Sequence, residues 1–307
     1  NFYGLGSDLI AMAVDDIPVE GGEAVWVNNG LAISNLTEET VPYFEQLFEG
    51  LRDAANRADV VLWTGETAVH GDRLDGPTDF TVDWFGDAFG LVHKRRVITG
   101  ADIQEGDVLY GFAEPDSFRC NGISRVRKTF AKAYDKNWHN EVYEGKTLGE
   151  WVSVGSTVYA GLMKALSGGY RFSQRPLAEI YGVAHISGGS LPEKIGRMLR
   201  ATGLGADITD PFEFPVIMKH CQQETKVQTS GGSERPMTDE EALTTWHGGQ
   251  GYVVAGREED HDVFVSVGAE QDITVKPIGR ITKQPGLRIV SKGAQRYGEV
   301  LEFDLVA

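Results

Sequence analysis

With 307 residues, 41% of them hydrophobic, and a mean hydropathy of -0.25, the chain can bury a sizeable core; it is long for one domain and comfortable for two. Its 29 basic and 45 acidic residues leave a formal charge of -16, a surface that repels nucleic-acid backbones and anionic membranes and so argues against both as partners. No apolar run approaches a membrane span, no basic-then-apolar leader is present, and Cys120 and Cys221 lie outside metal-ligand spacing, which suits a reduced cytoplasmic protein. The same acidity fits a saline cytoplasm or an ordinary acidic protein. The start at Asn1, without methionine and directly in a Gly-rich approach to a helix, predicts that an N-terminal portion is missing.

Residues 6–23 predict a helix with Leu9, Ile10, Ala13, Val14 and Ile17 on one side. Asp8, Met12 and Asp15 fall opposite, and Asp16 falls at the border. These acids gather near the C-terminal end, where the helix dipole disfavours negative charge, so they need an offsetting cation. A metal ion is one such cation; spacing alone favours a solvated acidic face. Residues 24–28 read as a short buried strand, and 38–58 as a helix capped by Thr37 with Val41, Phe44, Leu47, Phe48 and Leu51 inward. Residues 59–65 read as a buried strand ending in a turn, and 80–92 as a strand region.

A turn-rich stretch, 99–107, precedes a strand at 108–112, and a domain boundary is placed near Gly106. Residues 122–134 and 152–166 read as helices, and 182–189 as a strand running into a glycine turn. A helix at 191–199 opens with Pro192, a favoured early-helix residue. Residues 251–255 and 263–267 read as short strands around an acidic helix-like stretch, and 230–234 as a flexible loop. Strands and helices alternate in both halves, which means α/β or α+β layering.

Three further segments are chemically suggestive. Gly65, Glu66 and Thr67 follow an apolar strand, a place suited to metal or phosphate contact, although the residues alone favour a plain turn with one exposed acid. Arg119-Cys120-Asn121-Gly122 leads into Arg125, Arg127 and Lys128, where cap, backbone donors and cations suit phosphate oxygens. In residues 184–190, Gly188, Gly189 and Ser190 precede a helix N-terminus, and His185 is a candidate proton carrier or a satisfied core residue. None of these matches a Walker loop, a Rossmann fingerprint, a zinc motif or a hydrolase elbow.

Taken in order, these segments resemble the aminoimidazole ribonucleotide synthetase (PurM, phosphoribosylformylglycinamidine cyclo-ligase) family of purine synthesis. The family's G-x-D-L-x-A-M-x-V-N-D-x-x-x-x-G-A-E-P is similar to residues 6–25, and G-G-E-T-A-E-M-P-G to 64–71. G-D-V-L-I-G-L is similar to 106–112, H-S-N-G-Y-S-L-V-R-K to 119–128, and A-H-I-T-G-G-G-L-x-E-N-I-P-R to 184–197. The likeness runs from Gly6 to about Ala255.

The resemblance implies a two-domain α/β (α+β) fold. Residues 1–105 would form an N-terminal domain that binds ATP and metal and pairs with a second copy through a shared β-barrel; 106–307 would form a C-terminal α/β domain. It implies an ATP-dependent cyclo-ligase in which ATP activates the formyl oxygen of formylglycinamidine ribonucleotide. A nitrogen of the substrate then attacks, giving aminoimidazole ribonucleotide, ADP and phosphate. By the same resemblance Asp15, Asp16 and Glu66 are carboxylates on the Mg2+ side. Gly65, Glu66, Thr67, Gly188 and Gly189 contact the nucleotide or its phosphates, and Arg119, Asn121 and His185 are the polar active-site residues. The implied partners are a phosphoribosyl small molecule and a second copy of the chain in the cytoplasm.

Departures from the family pattern stand beside the matches. The family's Asn is Asp15, and its His is Arg119, a permanent cation in place of a group that titrates near neutrality. Thr-Arg-Ile-Tyr appears as Ser156-Thr157-Val158-Tyr159, and Asn-Cys-Gly-Val-Gly as residues 247–251, His-Gly-Gly-Gln-Gly. The family's upstream Asp-Gly-Val-Gly-Thr-Lys is absent from this sequence, so either it lies in a preceding segment or the chemistry is altered. Two other readings follow: a paralogue that phosphorylates another small molecule, as thiamine-phosphate kinase and selenophosphate synthetase do, and a non-catalytic nucleotide-binding homologue.

Overall fold

The computed structural model describes residues 2–76, 78, 80–229 and 231–305, so Asn1 and Ser230 lie outside the described residues. In chain order the elements are α1 (Tyr3–Val14), β1 (Glu23–Ile33), α2 (Val41–Ala58), β2 (Val61–Val69), β3 (Val82–Leu91) and β4 (Val108–Ala113). Then come α3 (Ile123–Tyr134), β5 (Val142–Tyr143), β6 (Lys146–Thr147), α4 (Leu148–Val152), α5 (Ala160–Ser167), β7 (Ile180–His185) and α6 (Ser190–Leu199). They are followed by β8 (Gly205–Ile208), α7 (Val216–Glu224), β9 (Lys226–Gln228), β10 (Glu234–Pro236) and α8 (Asp239–Leu243). The chain ends with β11 (Gln250–Gly256), α9 (His261–Glu270), β12 (Val275–Thr282), β13 (Leu287–Val290) and β14 (Val300–Phe303).

The fold is mixed α/β, and its contacts divide it into two compact units. One comprises Asn1–Val97 with Gly155–Gln174; the other comprises Ile98–Val154 with Arg175–Ala307. By contacts the chain first changes unit between Val97 and Ile98, and residues 155–174 return to the first unit.

In the first unit β1 is the centre of a three-stranded sheet, parallel to β2 and antiparallel to β3, with both outer edges open. One face is covered by α1 and α2. Leu9, Ile10, Val14, Val27, Leu51 and Ala54 form its core, with Trp84 and Ala88 packed against them. The two helices approach so closely at Gly6 and Gly50 that a Cβ on Gly50 would lie 1.9 Å from the Tyr3 carbonyl oxygen. The other face is bare: Trp63 is 71% exposed and Phe85 67%.

The second unit is built on a seven-stranded sheet in the order β14-β13-β8-β12-β4-β11-β7, antiparallel except where β13 runs with β8. Alternation along β4 sends Leu109 into the core formed with Val126 and Phe130 of α3, Ile195 of α6 and Ile217 of α7. Tyr110 points the other way and stacks on Phe264 of α9, with ring centroids 4.1 Å apart.

Four expectations change. The strand predicted to end at Gly65 runs on to Val69, because residues 64–69 continue the pairing with β1, and it is an exposed edge rather than a buried strand. Residues 263–267 form part of helix α9, with Phe264, Val267 and Gly268 buried at helical spacing. The second long helix starts at Val41 behind Thr40, whose hydroxyl and backbone bond back to Thr37. The helix predicted over 152–166 is broken into α4 and α5. There the amides of Ser156, Tyr159 and Ala160 donate to carboxylates of the first helix instead of continuing the helical ladder.

A buried carboxylate closes the C-terminal end of the fold. Asp239 accepts from the Ser291 hydroxyl, from Gln222 Nε2 at 2.6 Å, and from the backbone N–H groups of Gln295 and Arg296 at 3.0 and 2.9 Å. Burial pushes its pKa up, but these donors outweigh that and hold it below the usual value. Asp239→Ala leaves four donors without their acceptor, and the expected loss is about 3 kcal/mol in urea unfolding. A loss under about 1 kcal/mol would show that the clasp around residues 291–296 holds without it.

Candidate functional site

In the first unit the acids of α1 do not present one solvated face. Asp15 is fully buried just past the helix end, and its Oδ1 accepts the backbone N–H groups of Tyr159 at 2.9 Å and Ala160 at 3.0 Å. These amides open α5, whose N-terminal dipole end supplies the positive potential that a carboxylate at the C-terminal end of α1 lacks. Asp8 Oδ1 likewise takes the amide and hydroxyl of Ser156, at 2.9 and 2.6 Å. The structure thus places Asp15, one of the residues assigned to metal, as the acceptor for α5.

Asp16 is exposed at the start of the turn that follows α1. Glu66 is exposed on β2, in register with Gly30 of β1, and Gly65 and Thr67 flank it on the same edge. Among the described residues no group of three or more His, Cys, Asp or Glu side chains is placed to hold a metal ion.

The second unit brings its predicted residues together. Arg119 adopts a left-handed φ of 53°, rare for a side chain of this size, and is 2% exposed. Its Nη1 donates to Glu114 Oε2 at 2.5 Å and its Nη2 meets His185 Nε2 at 3.0 Å. His185, at the end of β7, is 3% exposed, so neither it nor Arg119 is offered to solvent. Asn121 is half-buried, and a Cβ on Gly188 would lie 3.9 Å from its Oδ1. Gly189 caps α6 with φ 89°, and the Glu193 carboxylate folds back against it, so an acid already stands at this helix end. Beside Gly122, a cleft of about 580 Å³ is lined by Arg125, Lys128, Lys132 and Lys226, with Glu224 the acid among them.

Three residues of this hub carried no motif signal of their own. Glu114 accepts from the Ser117 hydroxyl at 3.1 Å, and Ser117 Oγ in turn takes the Arg119 amide at 3.0 Å. His247 Nε2 donates to the Ser117 carbonyl at 2.9 Å, and its Nδ1 accepts from the Gly249 amide at 3.1 Å. The sequence signal for Glu114 and Ser117 was only their position between a strand and the Asn-Gly turn, and for His247 only a departure from a pattern. Burial pushes the His247 imidazole down to about 4, with the nearby Arg119 cation helping and Glu114 and the Ser117 carbonyl opposing.

Comparison with known proteins gives consistent matches. The AIR synthase related protein family matches twice, its N-terminal domain over residues 1–90 and its C-terminal domain over residues 104–292. A phosphoribosylformylglycinamidine cyclo-ligase from Methanocaldococcus jannaschii is 29% identical over 302 residues, 97% of this chain and 78% of that protein. The protein of the same name from Neisseria meningitidis serogroup C is 30% identical over 284 residues, 92% of this chain and 74% of that one. Among solved structures, the HypE-HypF complex aligns with a TM-score of 0.61 at 14% identity, covering 98% of this chain and 84% of the other; this likeness shows the fold alone.

Because folded His247 stays neutral where the unfolded chain, near the ordinary 6.5, takes up a proton, its contribution is present above pH 6.5 and is lost as pH falls toward 4. Between pH 7 and pH 5 this amounts to about 2 kcal/mol. His247→Gln keeps a donor for the Ser117 carbonyl and removes the titration, so its stability should fall less over that range in denaturant unfolding. Equal slopes for the two proteins would assign the pH dependence to other groups.

Proposed function

The chain belongs to the AIR synthase related protein family, and on that premise we propose that it is an ATP-dependent phosphoribosylformylglycinamidine cyclo-ligase. It converts formylglycinamidine ribonucleotide to aminoimidazole ribonucleotide with release of ADP and phosphate. The observation that carries this reading is end-to-end similarity to proteins of that name, 97% of the chain for one and 92% for another. The convergence of Arg119, Asn121, His185 and Gly188 in one unit supports it. A thiamine-monophosphate kinase from Stenotrophomonas maltophilia has the same fold at 15% identity, which carries no information on substrate.

Phosphoryl transfer asks the protein for positioning and for positive potential around phosphate oxygens. In the second unit the half-buried Asn121 amide is suited to orient the acceptor, and Arg125 and Lys128 in the adjoining cleft suit its ribose phosphate. Gly188 leaves room for a ligand against the Asn121 side chain. Arg119 and His185, being buried, act on this surface from beneath. In the first unit Gly65, Glu66, Thr67 and Asp16 are exposed and suit the nucleotide side. Mg2+ would screen the polyphosphate there; among the described residues no group of three or more His, Cys, Asp or Glu side chains is placed to hold it, so no step is assigned to it.

The second copy belongs to the same reading. The bare face of the β2-β1-β3 sheet carries Trp63, Phe85, Phe89 and Leu91, and the Trp26 and Phe89 rings stack at 5.4 Å. An apolar patch of this kind on an open-edged sheet is a contact surface, and pairing two such sheets is a route to the shared β-barrel of the resemblance.

Formylglycinamidine ribonucleotide should stimulate ADP release by the protein, whereas thiamine phosphate and selenide should not. Stimulation by one of those acceptors and not by the ribonucleotide would replace the cyclo-ligase assignment. Trp63→Asp together with Phe85→Asp should shift the protein from dimer to monomer in sedimentation velocity with its circular dichroism unchanged. An unaltered sedimentation coefficient would move the interface elsewhere.

A further inference from the structure

The feature of this chain that its function does not yet explain is the buried ion pair at the site. An arginine stands where the family resemblance carries a histidine, and it is almost wholly withdrawn from water. Removing a guanidinium from solvent is costly unless an anion accompanies it with good geometry. Glu114, also 2% exposed, is that anion: its Oε2 lies 2.5 Å from Arg119 Nη1, and its Oε1 holds the Ser117 hydroxyl that receives the Arg119 amide. One carboxylate thus fixes both ends of the turn that delivers Asn121, through the side chain and the backbone of Arg119.

The contact with His185 follows from donor chemistry. A guanidinium has only N–H donors, so at 3.0 Å from Arg119 Nη2 the His185 Nε2 must accept, and the ring proton must sit on Nδ1. Glu114, Arg119 and His185 together form a buried group of zero net charge.

We propose that Glu114 is a positioning residue for the cyclo-ligase reaction, acting through Arg119 to hold His185 as the neutral Nδ1–H tautomer and to set the Asn121 turn. On this account the family's histidine is not replaced by another acid or base at position 119. The pair Glu114–Arg119 converts that position into a fixed electrostatic support, and His185 Nε2 is barred from taking the proton released on ring closure. This rests on the cyclo-ligase reading only for its kinetic arm.

The first test needs no substrate and no variant: 15N shifts of the His185 ring in the full chain at pH 7.5. Protonated Nδ1 with unprotonated Nε2 is expected, and a protonated Nε2 overturns the proposal. Glu114→Gln should then mix the two tautomers and lower kcat with formylglycinamidine ribonucleotide about tenfold, while the KM for ATP moves less than about twofold. An unchanged tautomer and unchanged kcat in that variant also overturn it. Where Glu114→Gln folds, Arg119→His and the double variant Glu114→Gln/Arg119→His add a further arm; where it does not, the ring shifts of the unsubstituted chain alone decide the tautomer. The double should lose less activity than the product of the two single losses, because the singles each leave one partner unmatched; simple multiplication of the losses counts against the coupling. If no acceptor stimulates ADP release yet the wild-type ring is Nδ1–H, the cyclo-ligase reading fails while the tautomer assignment stands.

Discussion

The fold of the first unit depends on carboxylates of one helix taking the backbone amides of a segment about 150 residues away, with sequence separations of 148, 144 and 145 residues. Asp15 sits where the dipole of α1 is unfavourable to it and is stabilised by the opposite dipole end of α5. Asp8 holds Ser156 about two turns earlier in α1. A chain that would otherwise run from α4 straight into α5 must open between them, so that those amides face α1. Gly155 permits the approach, since a Cβ there would lie 2.6 Å from the Gly4 carbonyl oxygen. Further ties hold the same segment: Lys164 reaches Glu23 at 2.6 Å and Asp59 at 2.7 Å, and Arg96 donates to the carbonyls of Gly169 and Gln174. Residues 155–174 thereby belong to the first unit although the chain on either side builds the second.

The second unit applies the same logic to a site. Its seven-stranded sheet brings the ends of β4, β7 and β11 side by side, because β11 pairs with both β4 and β7. The loop after β4 carries Glu114, Ser117 and Arg119, β7 ends at His185, and β11 begins beside His247. Charge and imidazole are buried here only because each polar atom named meets a partner of opposite donor or acceptor character. The result is a rigid base beneath Asn121, which remains accessible, and a cationic cleft beside it in a protein that is otherwise strongly acidic.

Much of this was legible from residue order. The hydrophobic spacing of α3 and α6 and the short apolar strands β4, β7 and β11 read correctly, because each packs against one core and shows one period; in α2 Phe44, Leu47 and Leu51 face the core as expected, but Val41 and Phe48 are exposed. Where an element has an unusual environment the pattern misleads. The strand β2 is apolar yet exposed, since its apolar residues serve a surface rather than the unit's own core. The V-F-V-S-V run of α9 alternates like a strand, but burial of Phe264 and Val267 at a three-residue spacing folds it as a helix. The break between α4 and α5 has no local cause beyond Gly155; its cause is two aspartates far upstream.

The sequence by itself determined the layering, the order of the motifs and the family, because these reside in local periodicity and in residue identity along the chain. It also singled out Arg119, Asn121, His185 and Gly188, which the second unit brings close together. Only the tertiary structure decided what each polar group faces. It set Asp15 against the amides that open α5, buried Arg119 against Glu114 and left Asp16 and Glu66 on the surface. The physical reason is that a carboxylate or guanidinium takes its role from its partner and its access to water, and both are set by contacts between residues remote in sequence.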